Sequence, residues 1–153
     1  MGFRFHRGVA RLAILTILAV GLVGPLAAGP AAAASDTEHQ LQVMVNETRD
    51  QHEVRSLQMR RFLVRAARRH SREMASTGVL EHTDDLASVG KGRQWKIIGE
   101  NVGYGPSVDI LHDAFLNSPP HRKNELNAQY RWVGVGFAQD TDGKYWVTVL
   151  FMG

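Results

Sequence analysis

The sequence predicts an α+β domain of layered helices and sheet, and three observations carry that reading. Apolar residues at helical spacing fill the region that follows an apolar leader. Two β-rich runs joined by a turn signal close the chain, so helices come first and a paired sheet after. Between them lies Gly99-Glu100-Asn101-Val102-Gly103-Tyr104-Gly105, an acid, an amide and a phenol set among three glycines. Glycine permits positive φ or a close approach of backbone to a neighbour, so a turn there would aim the Glu100 carboxylate at a fixed point.

The leader comes first. Arg4, Arg7 and Arg11 precede an uncharged apolar run from Leu12 to Leu26, and Ala31-Ala32-Ala33-Ala34-Ser35 offers small residues at a cleavage site. This is the pattern of a secretory signal peptide over 1–34, leaving one domain over 35–153. The alternative is a retained N-terminal membrane anchor, since Leu12 to Ser35 is uncharged for a length that spans a bilayer. Gly21, Gly24, Pro25, Gly29 and Pro30 crowd its second half, and no basic stop follows, which favours cleavage and a secreted product.

The leader also carries the charge excess. The chain has 18 Lys+Arg and 15 Asp+Glu; the leader holds three of the arginines and no acid, so the remainder is neutral. A general nucleic-acid binder keeps a basic excess, so nucleic acid is not an expected partner. With no cysteine there is neither a disulfide framework nor a thiolate site, and the domain is held by its core.

Ser35-Asp36-Thr37-Glu38 has the form of a capping box and predicts a helix start, with Leu41, Met44, Val45 and Thr48 on its inner face. Gln51 to Ser56 reads as a loop. The second helix is the clearest: Leu63, Ala66, Ala67, His70 and Met74 form an apolar face, Arg61, Arg65, Arg68 and Arg72 lie opposite, and Gly78 is placed to end it. His70 is expected to be a buried, hydrogen-bonded core residue. From Arg49 to Arg72 eight arginines stand against Asp50 and Glu53, which reads as a solvated helix face or as a patch for an anionic surface polymer or headgroup. Asp84 to Gln94 reads as a surface loop, and Trp95 to Ile98 as a short extended segment.

A third helix starts at Ser107 as N-cap, with Ile110, Leu111, Ala114 and Phe115 as its expected inner face. Ser118-Pro119-Pro120 must break it and can cap a short fourth helix with His121 in its first turn. Trp132 to Ala138 and Tyr145 to Phe151 read as strands joined by a hairpin at Asp140-Thr141-Asp142-Gly143.

The candidate chemistry rests on His82, Glu100 and His121. Two imidazoles and a carboxylate suit a divalent metal ion such as zinc, with positions left for water or ligand. Glu100 could equally hydrogen-bond one histidine and fix its tautomer. Near a helix N-terminus His121 is biased toward the neutral, metal-binding form. Asn101, Tyr104 and Ser118 are expected to line the same cleft, Asn101 satisfying backbone groups of the glycine stretch. No H-E-x-x-H, G-x-S-x-G or phosphate-loop pattern occurs.

These pieces resemble, in order, the CAP superfamily (the SCP domain), in its short cysteine-free bacterial form. Asn46-Glu47-Thr48-Arg49 resembles the family's first helix, and Ala67-Arg68-Arg69-His70-Ser71-Arg72-Glu73-Met74-Ala75 its second. His82, the Gly99–Gly105 stretch, Phe115-Leu116-Asn117-Ser118-Pro119-Pro120-His121-Arg122 and Gly134-Val135-Gly136-Phe137-Ala138 follow. The resemblance implies a three-layer α-β-α sandwich with a central, mainly antiparallel sheet. It also implies a cleft lined by His82, His121 and Glu100, without the second glutamate of the eukaryotic site. Pro120 and Phe115 replace the usual glycine and tryptophan and alter the cleft wall. The function expected is a secreted, monomeric, non-catalytic binding module for a divalent metal, a small apolar ligand, a peptide or a cell-envelope component. The alternatives are a metal-assisted extracellular hydrolase of peptides or esters, with Glu100 as base, and adhesion to anionic polymers through the arginine-rich helix.

Overall fold

The computed structural model describes residues 30–153, so the leader read at 1–34 lies almost wholly outside the described residues. The elements run α1 (Pro30–Gln51), β1 (Gln58–Met59), α2 (Arg61–Thr77), a 3-10 turn (Leu86–Gly90), β2 (Ile98–Gly105), α3 (Val108–Asn117), α4 (Pro119–Glu125), β3 (Trp132–Gln139) and β4 (Tyr145–Met152). One four-stranded sheet has the order β1-β3-β4-β2; β1 pairs parallel with β3, and the other pairings are antiparallel. Helix α2 covers one face, and α1 and α3 pack on the other. This is the three-layer α-β-α sandwich that the resemblance implied.

Strand alternation divides the core between the two faces. Val133, Val135, Phe137, Val147, Val149 and Phe151 pack with Leu41 and Val45 of α1 and with Leu111 and Phe115 of α3. Leu150 and Met152 face Leu63, Ala66 and Ala67 of α2. Gly134 and Gly136 let α2 lie directly on β3: a Cβ at Gly134 would sit 2.3 Å from the Leu63 backbone, and one at Gly136 2.2 Å from the Arg68 nitrogen. Ser71 Oγ reaches the Gly136 carbonyl at 2.8 Å and Thr148 Oγ1 at 3.0 Å, fixing the register of α2 on the sheet. Gly78 ends α2 at φ 70°. His70 is buried, with Nε2 2.9 Å from the Glu81 carbonyl oxygen, the core role expected of it.

Several expectations are corrected. Helix α1 begins at Pro30, ahead of Ser35, because the alanines before Ser35 are strong helix formers and proline suits a first helical position. Instead of closing a capping box, Glu38 is buried and takes a two-pronged ion pair from Arg68, at 2.6 and 2.5 Å. The glycine stretch is strand β2, paired throughout with β4, and none of its glycines has positive φ. Its glycines serve close approach: a Cβ at Gly99 would lie 2.2 Å from the Tyr130 hydroxyl, and Gly103 and Gly105 lie against Phe115 and Leu111. Strand β1 was not foreseen; two residues carry too short a pattern to read.

The predicted inner face of α3 is rotated. Ile110 is 54% exposed, while Val108, Leu111, His112 and Phe115 are buried. A hydrophobicity count passes over His112 because it is polar, and the stripe then drifts to Ile110 and Ala114. The arginine run is not one solvated face either, since Arg49 is wholly buried and Arg68 is paired. The hairpin turn holds as expected, with Asp140 accepting from the Lys144 and Asp142 backbone and from the Trp146 indole.

Candidate functional site

Strand β2 is at the edge of the sheet, and its alternation turns Glu100 to the α2 face and Asn101 to the α3–α4 face. The two histidines are tied to these two consecutive residues. On one side the buried Glu100 carboxylate holds His82: Oε1 lies 2.8 Å from His82 Nδ1 and accepts from the Thr83 backbone N–H at 2.9 Å, and Oε2 accepts from the Thr83 hydroxyl at 2.6 Å. On the other side Asn101 Nδ2 donates to the His121 carbonyl at 3.1 Å. Asn124 Nδ2, in the next turn of α4, lies 2.8 Å from Asn101 Oδ1 and 3.0 Å from the Glu100 carbonyl. Asn101 thus pins α4 to the strand, where the sequence suggested that it satisfies the glycine stretch itself.

The two imidazoles therefore flank one edge of the sheet, near enough to interact electrostatically. Burial lowers the His121 pKa below the ordinary imidazole value, and repulsion from His82 lowers it further, against the pull of Glu125. The His121 ring meets Phe115 edge-on, with centroids 5.0 Å apart, and its nitrogens make no hydrogen bond to any described residue. His82 is 64% exposed along its side chain; with Nδ1 toward Glu100, its Nε2 is turned away from that carboxylate.

Glu100 is the acid that orients His82, the second of the two roles its position allowed. Both its oxygens are occupied, and among the described residues no group of three or more His, Asp or Glu side chains is gathered as a metal cage. The donors present fit a pair of imidazoles whose remaining coordination comes from ligand or solvent, not a site with three protein ligands. Four depressions of about 410, 550, 590 and 630 Å³ lie elsewhere among the described residues, with neither histidine in their walls.

Tyr104 and Ser118 are placed differently from expectation. Tyr104 shares the face of Glu100 but lies four residues along β2, its ring tilted at 37° to Trp146 with centroids 5.0 Å apart and Lys144 Nζ 4.9 Å over it. It lines the 410 Å³ depression with Pro106 and Lys144. Ser118 joins α3 to α4, and its hydroxyl makes no cap bond; Pro119 starts α4 without it.

The residues that the sequence reading missed lie beneath α4. Glu125, one turn after His121, is wholly buried, with Oε2 3.3 Å from His112 Nε2. The Arg49 guanidinium donates to the carbonyls of Glu125, Arg55 and Asn127. This ties α1, α3 and α4 into one unit below the site. Burial lowers the Arg49 pKa, and the Glu125 charge opposes that shift. The available signal was the i, i+4 spacing of His121 and Glu125. Thr83, which follows His82, and Asn124, three residues after His121, are the remaining holders of the site and carry no recognisable pattern.

Comparison with known proteins agrees with this architecture. The model of the cysteine-rich secretory protein family, CAP, matches residues 43–151. An uncharacterized protein of Bacillus subtilis, YkwD, is 29% identical over 125 residues, covering 76% of this chain and 47% of the relative, so the chain spans about half that protein's length. An extracellular protein of Bacillus anthracis containing an SCP domain superposes with a TM-score of 0.67 at 26% identity, over 84% of this chain and 44% of that one. A cysteine-rich secretory protein of Staphylococcus aureus gives 0.69 at 25%, over 80% and 40%. An outer surface protein of Borrelia burgdorferi shares the fold, with a TM-score of 0.68 at 21% identity over 74% and 90%. No helix among the described residues is long and apolar enough to cross a membrane. With the family's segments in their order on an α-β-α sandwich, the chain belongs to the CAP, or cysteine-rich secretory protein, family, although it contains no cysteine.

Proposed function

We propose that the chain is a secreted, non-catalytic binding module whose opening at the β2 edge receives a divalent ion together with a small ligand, peptide or envelope fragment. The supporting observation is the pair of holders on β2: Glu100 fixes His82 from one face and Asn101 fixes the His121 segment from the other. His82 and His121 would hold the ion, Glu100 would keep the His82 tautomer with Nε2 outward, and the supplied group would complete the coordination sphere. Burial of His121 favours the neutral imidazole that such an ion requires. The extracellular setting is supported by the leader in the sequence and by relatives described as extracellular or outer-surface proteins.

A hydrolase with Glu100 as general base has less support. The buried carboxylate already takes three contacts, two on Oε1 and one on Oε2, and these tie it to His82 and Thr83. The test is calorimetric titration with zinc. Wild type should give a binding heat that disappears in a His82→Ala/His121→Ala double variant, and an unchanged heat in that variant removes the metal reading.

A further inference from the structure

We propose that a second, separate site on this chain binds an acidic saccharide, one bearing carboxylate or phosphate groups, in the depression where the ends of three strands meet. The site is a cavity of about 630 Å³ walled by Trp95, Ile97, Trp132, Arg93, Lys96 and Arg131. It contains none of the residues of the β2-edge opening, so it does not rest on the reading given for that opening.

Its walls are built into the fold. Lys96 and Ile97 donate their backbone N–H groups to the Gly153 carbonyl at 2.7 and 3.2 Å, and Gly153 N–H returns to Ile97 at 3.0 Å. Arg131 N–H donates to Met152 at 2.9 Å, and Gln58 N–H to the Arg131 carbonyl at 3.0 Å. Trp95 is fixed by its indole N–H on the Gly90 carbonyl at 3.0 Å, where a Cβ on Gly90 would collide with the ring. The cavity thus exists before any ligand arrives, in the size range of small-molecule sites with aromatic walls and few polar groups.

Its side-chain charges are of one sign. Arg93, Lys96 and Arg131 are exposed at the rim, no acidic side chain is in the lining, and none of the three pairs with a carboxylate among the described residues. Two guanidinium groups nearby lie over rings: Arg60 5.3 Å over Trp132, and Arg93 4.0 Å over Phe62. Arg93 Nη1 also donates to the Lys91 carbonyl at 3.1 Å, so the group is held in place while its other N–H groups can meet a carboxylate or phosphate. Because the domain after its leader is formally neutral, this is a local concentration of charge and not a general basic surface.

The occupant follows from shape as well as sign. A flat lipid surface would meet the rim and leave the indole-walled cavity empty. A pyranose ring carrying an acid group uses both parts, its apolar face on the indoles and its anion on the arginines. This also relocates the anionic contact suggested by the arginine count. On α2 one arginine is already paired to Glu38, whereas none of these three cations pairs with a carboxylate among the described residues.

The experiment follows tryptophan fluorescence of the full chain on titration with trigalacturonic acid, glucose 6-phosphate and neutral maltotriose. One acidic probe should bind and weaken with salt, and maltotriose should not bind comparably. Arg93→Ala/Arg131→Ala, exposed positions that spare the fold, should weaken that binding by about tenfold or more. His82→Ala/His121→Ala should bind as wild type. The proposal is overturned if neither acidic probe binds, if maltotriose binds equally, or if the arginine variant is unchanged. Tighter, Arg93- and Arg131-dependent binding to phosphatidylglycerol vesicles or to oligothymidine would overturn it in favour of a lipid or nucleic-acid surface.

Discussion

Two of the histidine–glutamate pairs among the described residues do opposite work. His82–Glu100 is a 2.8 Å pair with a 64% exposed imidazole and a buried acid that also accepts two hydrogen bonds from Thr83. His112–Glu125 is a 3.3 Å pair buried on both sides, packed beside the buried Arg49, with both Glu125 carboxylate oxygens and Arg49 Nη2 lacking a hydrogen-bond partner among the described residues. Exposure decides the difference. The first pair can present a nitrogen to a ligand at little cost in stability. The second cannot meet a ligand and instead joins three helices under α4, where an uncompensated charge is expensive.

The largest effects should come from breaking the buried pair. Arg49→Met or Glu125→Leu alone should lower unfolding stability by about 3–5 kcal/mol in urea denaturation, because each leaves a buried charge uncompensated. The triple variant Arg49→Met/His112→Leu/Glu125→Leu should cost less than either single change, since an apolar core needs no compensation. If the triple variant instead costs the sum of the singles, the cluster contributes through packing and the contrast between the pairs fails.

A smaller loss is expected at the bridge between the two regions. Asn101 is wholly buried, donates to the His121 carbonyl and lies within hydrogen-bond reach of Asn124. Asn101→Ala should cost about 1–3 kcal/mol through the polar groups it leaves unpaired. It should also reduce the zinc heat although both imidazoles remain, a result that removal of a merely structural contact far from the site would not give.

The exposed pair should show the reverse balance. His82→Ala should abolish the zinc heat while costing less stability than either single change in the buried pair, because Thr83 still donates two hydrogen bonds to the Glu100 carboxylate. His112→Ala should do the opposite, destabilising the chain and leaving the zinc heat intact in the fraction that remains folded. Equal effects of the two substitutions on both measurements would erase the distinction.

This contrast also marks what the sequence could reveal. The order of the helices, the two closing strands, the cap at Ser107, the hairpin at Asp140 and the end of α2 at Gly78 were legible because each rests on local periodicity or turn chemistry. His82, Glu100 and His121 are grouped by their donor chemistry and by the resemblance, because no local spacing joins them. Arg49, His112 and Glu125 were not legible as a unit. Polar residues on a buried face break the hydrophobic count, and their partners come from helices far apart in the chain. The glycines of β2 show the same limit: glycine signals a turn locally, and only the packing of Tyr130, Leu111 and Phe115 explains them in a strand.

The smallest effect is a pH dependence centred on His121, where the two regions meet. His121 feels burial, the repulsion of His82 from the exposed pair and the attraction of Glu125 from the buried one, with a net lowering of its pKa. The unfolded chain therefore takes up the proton first as pH falls below the ordinary imidazole value of about 6.5. Stability is fully present above that value and is lost as pH falls through the lower folded-state pKa. Thermal unfolding of wild type from roughly pH 8 to about pH 5 should show this decline, and His121→Gln should flatten that part of it. His82→Ala should raise the His121 pKa slightly, read from its imidazole resonances, because burial rather than His82 is the larger cause. A His121 that titrates above the ordinary value would mean that Glu125 governs it, and that the exposed and buried pairs are coupled more strongly than their separate roles allow.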